Sequence, residues 1–264
     1  MDISIVARTK DDLGVLDFVD HVLHSADEIV FELIVVDSSN QIEIPYPLDR
    51  RLKVIKTQDN RFQARIRGIR NAIADYCILL DSDQRIECGL LNELVNSGSE
   101  LAVIPERSFN KNLMGRLLDF QRSQFESFGA SQDFPPTISV IPRFYKTSLL
   151  ERLISKQLDS VFHYGLSHED SILYSLLYSP NVKPYFSRKR ILNVDPSLSD
   201  YIRKSFLYGR FAKETTLHLE HYPEIVDLVR VINRNFIALN LKRPSLGVVP
   251  FLLRAVPYLI GYKF

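Results

Sequence analysis

Asp81 and Asp83 stand one residue apart, directly after the apolar run Tyr76 to Leu80, with Ser82 between them. Two carboxylates at this spacing can converge on one hard cation, Mg2+ or Mn2+, that in turn carries substrate phosphates. A turn after a strand uses the same residue types with no ligand at all, so the triplet alone decides little. A second acidic pair, Glu169 and Asp170, follows His168 at the start of a helical pattern. There it could hold a general base, or simply favour the helix dipole. Asp37 closes another apolar strand, ahead of Ser38, Ser39 and Asn40, and is either a ligand acceptor or a strand-end turn residue. Arg203, Lys204 and Arg210 could meet a phosphate through guanidinium forks and a compact ammonium charge. Their spacing does not put all three on one helix face. Arg8 and Arg61 read as surface arginines. His163, His168, His218 and His221 show no convincing metal spacing, and Cys77 and Cys88 are too few for a disulfide framework or a thiolate metal site.

Those residues need a scaffold, and the apolar pattern supplies one. Ile3 to Ala7, Leu33 to Val36, Leu52 to Ile55, Tyr76 to Leu80 and Leu101 to Ile104 are short apolar or β-branched runs, each stopped by polar or turn residues. Leu13 to Ser25 and Arg61 to Ala74 carry helical apolar spacing between them. Alternation of this kind predicts an α/β fold, a mostly parallel sheet covered by helices on both faces, with ligands at the strands' carboxyl ends. Further on, the pattern predicts helices over Met114 to Phe128, Ser148 to Leu158 and His168 to Leu177, and a loop around Gly129, Pro135 and Pro136. It predicts strands at Ile138 to Ile141, Val182 to Phe186 and Arg190 to Val194, then helices over Pro196 to Leu219 and Ile225 to Leu241.

The whole chain of 264 residues is 45% hydrophobic, enough for a sizeable core. Its 33 Lys and Arg balance 32 Asp and Glu, so a net charge of +1 gives no argument for nucleic acid. The first residues form no secretory leader, which makes a cytoplasmic location the expectation. Leu246 to Ile260 is strongly apolar but broken by Pro250, Arg254 and Pro257, and is short of the roughly 20 residues that span a bilayer. It either packs back on the protein or lies in a membrane interface as a peripheral contact, with Lys242, Arg243, Arg254 and Lys263 near headgroups.

Taken in order, Ser4 to Thr9, Leu33 to Ser39, Ala64 and Arg65 with Gly68 and Ala72, Tyr76 to Asp83, His168 to Asp170, and Tyr208 to Arg210 resemble glycosyltransferase family 2. The resemblance covers roughly residues 3 to 210. It implies a GT-A fold with a helical carboxyl-terminal extension, dividing at residue 195 into a catalytic domain, 1–195, and an extension, 196–264. It also implies an inverting, metal-dependent transferase that moves a sugar from a nucleotide-sugar donor to a glycan or polyprenyl-linked acceptor. On that reading Asp83 and Asp81 hold Mg2+ or Mn2+, and Asp170 is the base with Glu169 beside it. Ala7, Thr9, Asp37, Arg65, Asp81, Ser82, Asp83, Arg203 and Arg210 face the donor. The family usually places Asn after the arginine that Arg65 matches, where this chain has Ile66. Many members also carry a histidine on a late strand, where Asn193 or Asp195 could serve instead. Two rivals are a degenerate transferase-like partner subunit and a sugar nucleotidyltransferase. The second wants a glycine-rich basic loop that Ala7 to Gly14 does not form.

Overall fold

The computed structural model describes residues 1–24, 29–129, 141–156, 159–165, 169–177, 182–227, 230–231 and 248–263. In chain order the elements are β1 (Ile3–Thr9), α1 (Val15–Leu23), β2 (Phe31–Asp37), β3 (Leu52–Lys56), α2 (Arg61–Arg70), β4 (Tyr76–Asp81), β5 (Gln84–Ile86) and α3 (Leu90–Asn96). There follow β6 (Leu101–Val103), β7 (Glu106–Ser108), α4 (Leu113–Gly129), β8 (Pro142–Lys146), α5 (Thr147–Ile154), α6 (Asp159–Tyr164) and α7 (Glu169–Leu177). Last come β9 (Tyr185–Phe186), β10 (Ile191–Asn193), α8 (Leu198–His218) and α9 (Val248–Lys263).

The chain divides into two compact units. The first draws on 1–106, 142–158 and 179–193, the second on 107–141, 159–178 and 194–264. In the first unit the seven-stranded sheet has the order β3-β2-β1-β4-β8-β6-β9. Its half from β3 to β4 is parallel, β8 runs antiparallel to β4 and β6, and β9 is parallel to β6. From β1 the chain winds outward through β2 to β3, then returns to place β4 on β1's other side. The carboxyl ends of β1 and β4 therefore form the switch point of the sheet, where open α/β folds bind ligands.

Alternation along these strands assigns the two faces. Ile3, Ile5, Ala7, Leu33, Val35, Ile78, Leu80 and Phe144 share one buried cluster with Val15, Phe18 and Val22 of α1. The intervening residues, among them Val6, Arg8, Leu79 and Asp81, take the face covered by α2. Asn60 starts α2 with a capping box: its Oδ1 accepts from the Phe62 and Gln63 amides, and Gln63 Oε1 accepts from the Asn60 amide. Gly68 lets α2 sit close on β1, since a Cβ there would lie 2.3 Å from Val6 Cγ1. The capping turn and the close approach fix where the arginines of α2 point.

Several sequence expectations shift. The helix expected to reach Ala74 stops at Arg70, leaving Ile73 exposed. Strand structure is described at Pro142–Lys146; of the strand expected at Ile138 to Ile141, residues 138–140 lie outside the described residues, as do Pro135 and Pro136 of the expected loop. Most of Ile225 to Leu241 is outside them too. In the second unit α9 packs on α8 through two glycines. A Cβ on Gly209 would lie 2.0 Å from the Tyr258 carbonyl oxygen, and one on Gly261 2.0 Å from that of Phe206.

Candidate functional site

At the switch point Arg8, next to last in β1, is in register with Asp81, which ends β4. Arg8 Nη2 lies 2.9 Å from Asp81 Oδ1, and Arg65 Nη2 donates to the same oxygen at 2.9 Å. Arg65 comes from the middle of α2 and its side chain is only 1% exposed, whereas those of Arg8 and Asp81 are 18% and 20% exposed. Burial alone would raise the Asp81 carboxyl, but the guanidinium charges of Arg8, Arg65, Arg143 and Arg61 outweigh it and hold it well below the usual carboxylate range.

Ser82 and Asp83 form the turn between β4 and β5, with Asp83 half-buried. Gln84 ties this turn down. Its Oε1 accepts from the Asp81 amide at 2.9 Å, and its Nε2 donates to Asn193 Oδ1 at 3.0 Å. Asn193, paired with Gln84 across β5 and β10, donates in turn to Glu106 Oε2 at 3.1 Å, and Glu106 Oε1 accepts from Arg143 at 3.2 Å. A polar chain thus runs from the motif's backbone, through buried Gln84 and Asn193, to the part-exposed Glu106 and Arg143. The late strand reaches the motif as the resemblance implies, but Asn193 engages its amide oxygen with Gln84 and its amide nitrogen with Glu106 rather than offering them to a ligand.

The other face of the same edge carries Thr9 and Asp37, which are register partners. Asp37 is fully buried, and Oδ2 accepts from Lys56 Nζ at 2.6 Å and Tyr46 Oη at 3.2 Å, while Oδ1 accepts from the Ser39 amide at 2.8 Å. Burial pushes this carboxyl up, yet Lys56 and the Ser39 bonds prevail and keep it below its ordinary range. Burial and the Asp37 charge drive the Tyr46 phenol well above its own. Asp11, at φ 49, accepts from the Asn40 and Gln41 amides and donates its amide to Ser39 Oγ, clamping the loop after β1 to the loop after β2. Ala7 is buried in β1 between Val35 and Leu80.

In the second unit Glu169 and Asp170 open α7, with Glu169 buried and Asp170 half-buried; His168 lies outside the described residues. Arg203 and Arg210 are both exposed on α8, seven residues apart and so on one face, and Arg203 lies 3.2 Å from Asp200. Asp195 accepts from Arg122 at 2.8 Å.

Within the first unit the structure therefore brings Arg65, Asp81, Ser82 and Asp83 together on one side of the edge and Thr9 and Asp37 on the other. Arg8 and Arg61, read from the sequence as surface arginines, are half-buried, and Arg8 is paired with Asp81; sequence reasoning passed over Arg143, Gln84, Lys56 and Tyr46. Arg8 was findable: like Asp81, it is a charged residue at the end of an apolar run. Among the described residues no group of three or more His, Cys, Asp and Glu side chains could hold a metal ion. Two hard carboxylates do fit Mg2+ or Mn2+, which commonly takes one or two carboxylates plus substrate phosphates. Asp83 would be the direct ligand, and Asp81 stands beside it with its Oδ1 held by the arginines.

No family model and no curated protein sequence matches this chain. Solved structures do. The mannosyltransferase PcManGT from Pyrobaculum calidifontis, in complex with GDP-Man and Mn2+, matches 96% of this chain and 75% of its own at 15% identity and a TM-score of 0.56. S. aureus TarS 1-349 matches all of this chain and 89% of its own at 15% identity and a TM-score of 0.50; its complex with UDP-GlcNAc gives 13%, 90% and 0.50. The order of strands, the switch point and these likenesses agree: the chain has the GT-A glycosyltransferase fold.

Proposed function

We propose that the protein is an inverting glycosyltransferase that takes a sugar from a nucleotide-sugar donor and passes it to a glycan or lipid-linked acceptor. The observation that carries the reading is the meeting of Arg8, Arg65 and Asp81, with Asp83 in the next turn, at the switch point of a GT-A sheet. Two of the solved structures sharing this fold hold UDP-GlcNAc or GDP-Man, which supports a donor of that class. Thr9 and Asp37 are the groups for the nucleoside, Asp37 through lone pairs on an ionised carboxylate. Asp83 would be the direct ligand of Mg2+ or Mn2+, with Asp81 beside it. A cation bound there supplies charge neutralisation and Lewis acidity to the diphosphate. Asp170, helped by Glu169, removes the proton from an acceptor hydroxyl, and attack opposite the leaving group inverts the anomeric centre. With an acceptor phosphate no proton need be removed. Arg203 and Arg210 are assigned to acceptor or donor phosphates through their shared exposed face.

We place the protein in the cytoplasm, with peripheral membrane contact through α9. No helix among the described residues is long and apolar enough to cross a membrane. The test is a panel of UDP- and GDP-sugars with Mn2+, read as release of nucleoside diphosphate, alongside calorimetry with UDP and GDP. Binding of one diphosphate and turnover of its sugar are expected. Absence of both across the panel overturns the proposal, and turnover excludes a degenerate partner subunit.

A further inference from the structure

The face of the sheet under α2 gathers four guanidinium groups from three elements. Arg8 is next to last in β1, Arg61 and Arg65 stand one turn apart on α2 and so share a side of it, and Arg143 lies on β8 beside β4. Phe144 belongs to the cluster on the α1 face, so its neighbour Arg143 takes the α2 face, as Arg8 and Asp81 do. Asp81 Oδ1 fixes two of the planes, Arg8 and Arg65, and Glu106 fixes a third, Arg143. Glu106 is itself held by Asn193. Arg8 and Arg143 keep 18% and 13% of their side chains in contact with solvent, while Arg65 is sealed beneath.

Arginine forks held in fixed planes are suited to phosphate oxygens, and pre-organisation reduces the ordering lost on binding. Metal carboxylates behave differently: they present oxygens to the cation, whereas Asp81 Oδ1 is already doubly bonded to guanidinium. We infer that Arg8, Arg61 and Arg143 form a metal-independent binding site for the phosphate groups of the ligand, with Asp81 acting as the positioning residue that sets the arginines and Asp83 as the carboxylate that responds to metal. The inference rests on the reading above that this edge receives a diphosphate. It assigns most of the diphosphate's affinity to arginine rather than to the cation.

The test uses the full chain and calorimetry with inorganic pyrophosphate, UDP and GDP, each in EDTA and in Mn2+. Pyrophosphate should bind in EDTA, and Arg8→Gln and Arg143→Gln should each weaken it roughly 10- to 100-fold, the range for a lost charged hydrogen bond. Should Arg8→Gln melt without cooperativity, Arg8→Lys keeps the charge, loses the fork and should still weaken binding. Mn2+ should tighten binding by the same factor in wild type and in Asp81→Asn, and by none in Asp83→Asn. Pyrophosphate that binds only with Mn2+, or an Mn2+ increment lost in Asp81→Asn as in Asp83→Asn, overturns the inference. Pyrophosphate bound in EDTA with UDP and GDP refused would sustain the arginine site and sink the nucleotide-sugar reading instead. UDP or GDP bound only with Mn2+, and indifferent to Arg8 and Arg143, would do the reverse.

Discussion

Arg8 and Asp81 are register partners on adjacent parallel strands, and their side chains meet at 2.9 Å where the sheet changes direction. Arg8 is next to last in β1 and Asp81 last in β4, so the pair sits where pairing between these two strands ends and ligand space begins. Arg65 reaches the same carboxylate oxygen from below, which makes one acid the meeting point of strand and helix. Fold and site are joined there, because the close seat of α2 on β1 at Gly68 also sets Arg65's reach.

That joint should be visible in stability. Arg65→Leu leaves Asp81 with Arg8 alone in a half-buried place, and breaking one partner of a buried pair typically costs about 3 to 5 kcal/mol. Because Arg8 remains, about 3 kcal/mol is expected, measured as a lower midpoint of urea unfolding with an unchanged slope. A loss under about 1 kcal/mol would mean that Arg65 is not held by Asp81 in solution.

The acid limb of stability follows from the carboxylates. Asp37 and Asp81 both have folded pKa values below their unfolded ones, so the stability they contribute is present above the unfolded pKa of about 4 and is lost as pH falls through the folded values. Urea midpoints should therefore be level from about pH 7 to 5 and fall below about pH 4. Asp37→Asn should lower the neutral midpoint and flatten the acid fall. Parallel curves for wild type and variant would show that Asp37 carries no such linkage.

β1, β2 and β4 were legible because strands buried on both faces are written as largely apolar runs, and all five expected early strands appear. Each has its neighbours in the core to announce it. β5 and β7 were harder: each is three residues long, and Gln84 or Glu106 in isolation gives no strand signal. The acidic motif was legible from spacing, but its partners were not. Arg8, Arg61 and Arg143 come from three elements far apart in sequence, and only the register of β1 on β4 and of β8 on β4 places them together.

Asp170 offers a test that separates binding from chemistry. Asp170→Asn should keep calorimetric affinity for nucleoside diphosphate while transfer to hydroxyl acceptors falls roughly 10²- to 10⁴-fold, the usual effect of removing a positioned base. The substitution is nearly isosteric at the start of α7, so helix capping is largely kept. Transfer at near wild-type rate would reduce Asp170 to a helix-start carboxylate or identify a phosphate acceptor.

Gly209 tests the seat of the last helix. Any side chain there meets the Tyr258 carbonyl oxygen at 2.0 Å, so Gly209→Val must push α9 off α8. Overpacking of this kind typically costs about 1 to 3 kcal/mol, and limited proteolysis should then cleave α9 early. A variant as stable and as protease-resistant as wild type would show that α9 does not pack there.

The outer side of α9 carries the membrane proposal. Ala255 and Gly261 are buried, whereas Leu252, Val256, Leu259 and Ile260 are all exposed at helical spacing, with Lys263 exposed beyond them. Deleting the helix would confound the two sides, since α8 would lose its cover. Replacing Leu252, Val256 and Leu259 by Gln alters only the exposed stripe. If α9 lies in an interface, wild type should sediment with vesicles containing anionic lipid and the triple variant should not. Each buried aliphatic side chain contributes about 1.5 to 3 kcal/mol, so three together exceed a hundredfold in affinity. The melting temperature should not fall, because the stripe is already in water. Equal sedimentation of both proteins removes the membrane contact, and a lower melting temperature without vesicles would show that the stripe is covered within the full chain.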